Sequence, residues 1–138
     1  MRSLVLLILL VAIPLVSQAQ SYAVIANDIG AVALTTAELK TVFKPKNNFW
    51  PNKRPVLLVL PGNQSPLRDK IAKDIYGISY VASQKYWLSL VFQGRFNAPV
   101  SLSTDEETLS YVIKNPGAIG FVTDPSAVPQ KFLILIKD

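Results

Sequence analysis

Residues 55–60 (PVLLVL) form an almost wholly apolar run between a loop rich in proline and asparagine and a Pro-Gly turn. Because the run shows no alternation of apolar and polar residues, it predicts a strand that is buried on both faces. Such a strand requires other elements to cover both sides of its sheet. The chain is therefore expected to fold as an α/β domain.

A helix is predicted before this strand. Thr35 and Glu38 have the spacing of a capping box, in which each side chain satisfies a free amide of the first helical turn. Leu39, Val42 and Phe43 then form its apolar stripe.

A second helix is predicted directly after the strand. Ser65 is interpreted as its N-cap and Pro66 as its first residue, where the missing N–H costs nothing. Gly77 is expected to end the helix in a left-handed conformation. The buried face repeats every four residues through Leu67, Ile71 and Ile75.

Two further helices follow in the sequence. Ser79 is expected to cap a helix over residues 80–92, whose inward side chains would be Tyr80, Trp87, Leu88 and Val91. Ser103 and Glu106 have the spacing of a second capping box, and the helix that follows would turn Leu109, Val112 and Ile113 inward.

Three more apolar runs predict strands, at residues 22–27 (YAVIAN), 118–122 (AIGFV) and 131–136 (KFLILI). The predicted order is β-α-β-α-α-α-β-β. Strands that are separated by helices indicate a mixed, mainly parallel sheet flanked by helices. Trp50 and Trp87 are expected to fill the core of this α/β domain.

The first 19 residues have the pattern of a secretory signal peptide. Arg2 precedes an apolar stretch, and Ser17 and Ala19 place small residues at positions −3 and −1 of a cleavage site. The stretch is shorter than the roughly 20 apolar residues of a membrane-spanning helix, and no later segment is long enough to span. We therefore expect residues 1–19 to be removed and residues 20–138 to form one exported domain, with the periplasm as its expected location.

Cysteine and histidine are both absent from the chain. Their absence excludes disulfides, thiolate nucleophiles, Cys/His zinc sites and imidazole bases. No enzyme activity and no cofactor are predicted; a carboxylate site that uses Asp28 or Asp124 is the remaining catalytic alternative. The acids at positions 105–107 are interpreted as helix-start residues and not as metal ligands. The modest net charge of +5 gives no indication of nucleic-acid binding.

Residues 57–68 indicate where a ligand could bind. A buried strand, a turn and a capped helix direct amides and the positive end of the helix dipole to one place, where Ser65 adds a hydroxyl and Arg68 a cation. Between Glu38 and Asp69 there are no acids, which predicts a positive field. The basic residues of that interval are Lys40, Lys44, Lys46, Lys53, Arg54 and Arg68. An anion site is therefore predicted, with an ordinary helix start as the alternative.

A family resemblance is carried by three stretches of the chain. They are residues 34–61 (LTTAELKTVFKPKNNFWPNKRPVLLVLP), the helix start at Ser65, and residues 111–122 (YVIKNPGAIGFV). Together they resemble the phosphate-binding proteins of bacterial ABC transporters, which are bilobed and bind phosphate between their lobes. The resemblance implies one lobe of a type 2 periplasmic binding protein, similar to the small single-lobe forms.

The same resemblance implies a set of site residues. It aligns Ser65 with the family's phosphate-binding serine, whereas the glycine and threonine that follow in the family are Pro66 and Leu67 here. The family's arginine falls at Pro61, so the cation would have to come from a new position. The candidate oxyanion ligands are Gln64, Ser65, Leu67, Arg68 and Arg95.

Two functional hypotheses result. The first is a non-catalytic, solute-binding-like domain that holds phosphate or a similar oxyanion in phosphate transport or sensing, with an envelope or membrane protein or a second copy closing the cleft. The second is a protein-interaction module of the cell envelope that has kept the lobe and lost the ligand. Pro66 and Leu67 favour the second hypothesis because they remove an N–H and a hydroxyl.

Overall fold

The structure is a computed structural model that describes residues 21–44, 48–94 and 96–138. The predicted signal peptide, Lys46 and the candidate ligand Arg95 lie outside the described residues. No helix in the described part of the chain is long and apolar enough to cross a membrane.

The described residues form strands and helices in alternation. The strands are β1 (Ala23–Ala26), β2 (Ala33–Leu34), β3 (Leu57–Pro61), β4 (Val100–Leu102), β5 (Ala118–Val122) and β6 (Leu133–Ile136). The helices are α1 (Thr36–Val42), α2 (Arg68–Ile71), α3 (Tyr80–Phe92) and α4 (Asp105–Lys114). A π-helical stretch, Ala72–Tyr76, continues α2, and two short 3₁₀ turns, Pro125–Ala127 and Gln130–Phe132, precede β6.

The strands make one six-stranded sheet in the order β2-β6-β1-β5-β3-β4. β1 pairs antiparallel with both neighbours, with Ile25 opposite Gly120 of β5 and Leu133 of β6. The other pairs, β2–β6, β3–β5 and β3–β4, are parallel. This arrangement confirms the predicted α/β fold with a mixed, mainly parallel sheet.

Both faces of the sheet are covered, as the buried strand predicts. In β5, Ile119 and Phe121 point to a core that contains residues of α1 and α2, such as Leu39 and Ile71. The alternate residues of β5 point to a second core that includes Val112 of α4. The helices that follow β3 and β4 therefore lie on opposite faces of the sheet.

Several local predictions are confirmed. The Thr35–Glu38 capping box is present in full, and Ser79 caps α3 by accepting the amide of Ala82. Gly77 is left-handed at the end of the π-helical stretch. Both tryptophans are buried, as are Leu67, Ile71 and Ile75.

Two predicted helix starts are wrong, by two residues for α2 and by one residue for α4. Ser65 is not the N-cap of α2; the helix starts at Arg68, after a turn in which the Ser65 hydroxyl accepts the amide of Leu67. The N-cap of α4 is Thr104 and not Ser103, since the Thr104 hydroxyl accepts the amide of Glu107. At α4 a neighbouring residue provides the cap, whereas at α2 the Ser65 hydroxyl closes a separate turn before the helix begins.

The predicted inward face of α3 is wrong in part. Leu88 is 56% exposed and Val91 is 37% exposed, while the buried residues of this helix are Ser83 and Trp87. Ile113 of α4, also predicted to point inward, is 44% exposed. For α3 the reason is packing, because the helix packs mainly against the π-helical stretch and leaves one apolar side uncovered.

Candidate functional site

The carboxyl ends of β3 and β4 form a topological switch point. The two strands are adjacent and parallel, yet α2 follows β3 on one face of the sheet and α4 follows β4 on the other. In open α/β sheets, ligands bind in the crevice that such diverging loops leave. Here the crevice is small, about 10 Å³, which is room for about one water molecule, so a larger ligand would have to bind at its mouth. Its polar walls come from Ser65, Ser103, Thr104 and Asp105.

The turn at Ser65 has a definite hydrogen-bond pattern. The Ser65 amide donates to the carbonyl of Gly62 at 3.0 Å, and the Ser65 carbonyl accepts the Arg68 amide at 3.3 Å. The Ser65 hydroxyl accepts the Leu67 amide at 3.1 Å. The predicted amide donors of Leu67 and Arg68 are thus already bonded within the turn, whereas the hydroxyl hydrogen of Ser65 stays available to an acceptor.

Gly62 brings the two loops of the crevice together. Its amide donates to the carbonyl of Leu102 at 2.9 Å, which extends the β3–β4 pairing by one residue. A Cβ at this position would lie 2.7 Å from the hydroxyl oxygen of Ser103. The absence of a side chain therefore lets Ser103 lie beside the Ser65 turn.

Arg68 is fixed against the same turn. Its Nη1 donates to the carbonyl of Asn63 at 3.1 Å and to the side-chain oxygen of Asn63 at 2.6 Å. Its Nε lies 3.7 Å from Asp69, and its guanidinium carbon lies 5.2 Å from the centre of the Tyr80 ring. These contacts hold a cation at the turn while leaving donors on Nη2.

The remaining predicted ligands contribute unequally. Gln64 is exposed in the turn, so its side-chain amide faces solvent. The side chain of Leu67 is buried in the core, so this residue could offer a ligand only its amide. Nothing in the described residues places Arg95.

The predicted concentration of positive charge at the turn is wrong. Lys53 and Arg54 precede β3, so the length of that strand, roughly 16 Å, separates them from Ser65. Arg54 is paired with Asp28 at 3.0 Å at that far edge. Lys44 lies beyond the end of α1, which runs away from the crevice edge. Of the described basic residues in that interval, Arg68 is the one at the turn.

Asp105 is the polar residue of this edge that the sequence analysis did not single out as functional. Its carboxylate accepts the amide and the hydroxyl of Thr123 at 2.8 and 2.7 Å and the amide of Asp124 at 3.0 Å. It therefore joins the start of α4 to the end of β5. A capping motif gives no signal of this long-range contact, because Thr123 is 18 residues away in the sequence.

The two carboxylates of the catalytic alternative lie at opposite edges of the sheet. Asp28 follows β1 and pairs with Arg54. Asp124 follows β5, and the backbone hydrogen bond from Ser126 holds its pKa below the usual value. The described residues contain no cluster of three or more acids that could hold a metal ion.

Comparison with known proteins relates the fold to solved structures. Neither protein-family models nor curated protein sequences match the chain. A crystal structure of a possible phosphate binding protein from Planctomyces limnophilus DSM 3776 is similar, with a TM-score of 0.58 and 19% sequence identity. The similarity covers 85% of this chain and 41% of that one, so this chain spans about two-fifths of the other protein's length. At this identity the likeness establishes a shared fold.

Proposed function

We propose that this chain is an exported, non-catalytic binding domain that holds phosphate or a similar oxyanion at the mouth of the crevice between β3 and β4. The observation that carries the proposal is the position of the Ser65 turn at the switch point, where this class of sheet binds ligands. The fold shared with a possible phosphate binding protein supports the same ligand class.

The donors in and beside the crevice suit an anion in three ways, and the one acid of the described crevice wall, Asp105, already accepts hydrogen bonds from Thr123 and Asp124. Ser65 and Ser103 offer hydroxyl donors from the two diverging loops. Arg68 offers a guanidinium, and hydrogen bonds from a charged donor are about twice as strong as neutral ones. The amides of Leu67 and Arg68 join the site only when an anion oxygen replaces Ser65 as their acceptor.

These donors form one wall of a site. A dehydrated phosphate needs many hydrogen bonds to offset the loss of its water. This chain matches about two-fifths of the length of its structural neighbour, so the proposal includes a second wall from an envelope or membrane protein or from a second copy of this chain. The protein would then act in phosphate transport or sensing. The comparison does not favour the alternative of a ligand-less interaction module.

Calorimetric titration of the purified protein with phosphate and sulfate tests this proposal. We expect saturable phosphate binding that weakens by about tenfold or more in Arg68→Ala and in Ser65→Ala, since Ser65→Ala removes a hydroxyl of the crevice wall and Arg68→Ala removes the cation beside it. Arg54→Ala is the matched control, because it removes an arginine at the opposite edge of the sheet. Absence of binding at millimolar phosphate, or equal weakening by Arg54→Ala, would refute the site.

A further inference from the structure

A groove of about 190 Å³ lies between α3, the π-helical stretch and the adjoining strands β3 and β4. It extends along α3 from Tyr80 to Val91, a distance of about 16 Å. Its walls are mostly apolar, and include Leu60, Ile71, Tyr76, Trp87, Leu88 and Val91. Ligand sites in proteins have this character, with apolar walls and a few placed polar groups.

The groove carries positive charge at one end. Of the described residues that line it, Arg68 alone carries a charge, and none is an acid. Arg68 lies at the Tyr80 end, where its guanidinium stacks over the Tyr80 ring. Tyr80 is in turn held by Gln84, whose side-chain amide donates to the tyrosine hydroxyl at 2.6 Å. The groove therefore has a positioned cation at one end and apolar walls along the rest.

Asp69 offsets this cation only weakly. Its carboxylate is 3.7 Å from the Nε of Arg68, and its side chain is 76% exposed. Exposed ion pairs contribute little free energy, so a ligand anion that is partly shielded in the groove can compete for the guanidinium.

The rim of the groove leaves apolar surface uncovered. Leu88 and Val91 are exposed on the side of α3 that borders it. Covering such surface stabilises a complex by about 25 cal/mol per Å². An apolar group in the groove would therefore add binding free energy that a bare inorganic anion cannot obtain.

We propose that this groove binds the apolar part of an organic anion, whose charged group is held by Arg68. The inference rests on the proposed function, because Arg68, which lines the groove, is also held against the turn that contains Ser65, a residue of the crevice wall. The ligand would then be a phosphate that carries an apolar substituent, and the substituent would lie in the groove beside α3.

Comparing n-hexyl phosphate with inorganic phosphate and 1-hexanol tests the inference. We expect n-hexyl phosphate to bind about tenfold more tightly than either of the other two, and to change the fluorescence of Trp87, which lines the groove. Arg68→Gln should lower its affinity to that of 1-hexanol, since the charged group then has no partner.

A variant that fills the groove is a second test of the inference. Ala98 is exposed and lines the groove, so Ala98→Phe should occupy the space without disturbing the core. We expect this variant to weaken n-hexyl phosphate by about tenfold and to leave inorganic phosphate unchanged. Ser89→Phe is the matched control, because Ser89 is exposed on α3 and is outside the groove lining.

The outcomes separate this inference from the proposed function. Equal affinity for the two phosphates, or no effect of Ala98→Phe or Arg68→Gln on n-hexyl phosphate, would refute binding of the apolar group in the groove. It would not affect the proposal that an oxyanion binds at the crevice. Binding of n-hexyl phosphate without binding of inorganic phosphate supports the groove and refutes the inorganic ligand. Failure of both phosphates to bind overturns both proposals.

Discussion

The carboxylate of Asp105 accepts both the amide and the hydroxyl of Thr123, at 2.8 and 2.7 Å. This contact joins the first turn of α4 to the end of β5. The loop between β4 and α4, which supplies one side of the crevice, is therefore fixed by a residue that does not itself need to touch the ligand.

Asp105→Asn should destabilise the fold. An amide replaces one carboxylate oxygen with a donor that faces the donors of Thr123, and a hydrogen bond to a charged group contributes about 1.5–3 kcal/mol. Urea denaturation measures the free energy of unfolding. Glu106→Gln, an exposed acid in the same turn, is the control and should change that free energy by less than about 0.5 kcal/mol. Equal effects of the two variants would contradict the account.

Gly117→Ala should be among the most damaging single substitutions. Gly117 has a φ of +94°, and a Cβ there would overlap the carbonyl oxygen of Pro55. Its own carbonyl accepts the indole N–H of Trp50 at 2.8 Å, so a shift would also disturb a buried hydrogen bond. We expect a loss of about 3 kcal/mol or more in the free energy of unfolding.

Gly77→Ala provides the control for this prediction. Gly77 also has a positive φ, +69°, but a Cβ there would meet no atom within 4 Å. It should cost about 1 kcal/mol, the price of the left-handed conformation alone. A comparable loss in both variants would show that the Pro55 contact does not matter.

Tyr22 should make stability depend on pH in the alkaline range. Burial, together with the hydrogen bond to Asp74 at 3.0 Å, raises the pKa of Tyr22 from 10.0 to about 12. The proton is held more tightly in the folded state. The hydroxyl's contribution to stability is thus fully present below pH 10 and is lost as the pH rises towards 12.

Tyr22→Phe isolates that contribution. It keeps the ring that packs edge-on against Phe121 at 5.4 Å. We expect a loss of about 1 kcal/mol at neutral pH and a shallower fall in stability between pH 10 and 12. Part of the fall should remain, because burial also raises the pKa of Tyr76. An unchanged slope in urea denaturation across that range would refute the assignment.

Much of the fold could be predicted from local sequence. The Thr35–Glu38 box, the serine cap of α3 and the left-handed Gly77 depend on contacts within a few residues, and each is confirmed. β2 and β4 were not predicted, because strands of two and three residues show no periodicity. The place of β1 between β5 and β6 is set by long-range pairing that no short motif encodes.

The candidate site was less accessible to prediction. The turn at Ser65 could be identified as a strand–turn–helix junction, but its amides bond to Ser65 itself, which depends on the exact start of α2. The proximity of Ser103 follows from the parallel pairing of β3 with β4, which extends through Gly62. The basic residues lie at two edges of the sheet because Lys53 and Arg54 precede β3 whereas Arg68 follows it.

The central claim is that an oxyanion binds at the crevice between β3 and β4. Mapping of backbone amide chemical shifts during phosphate titration tests it most directly. The account predicts saturable shifts confined to residues 62–68 and 103–105, and their loss in Arg68→Ala. Shifts centred on Lys53 and Arg54 at the opposite edge, or no saturable shifts at millimolar phosphate, would contradict it.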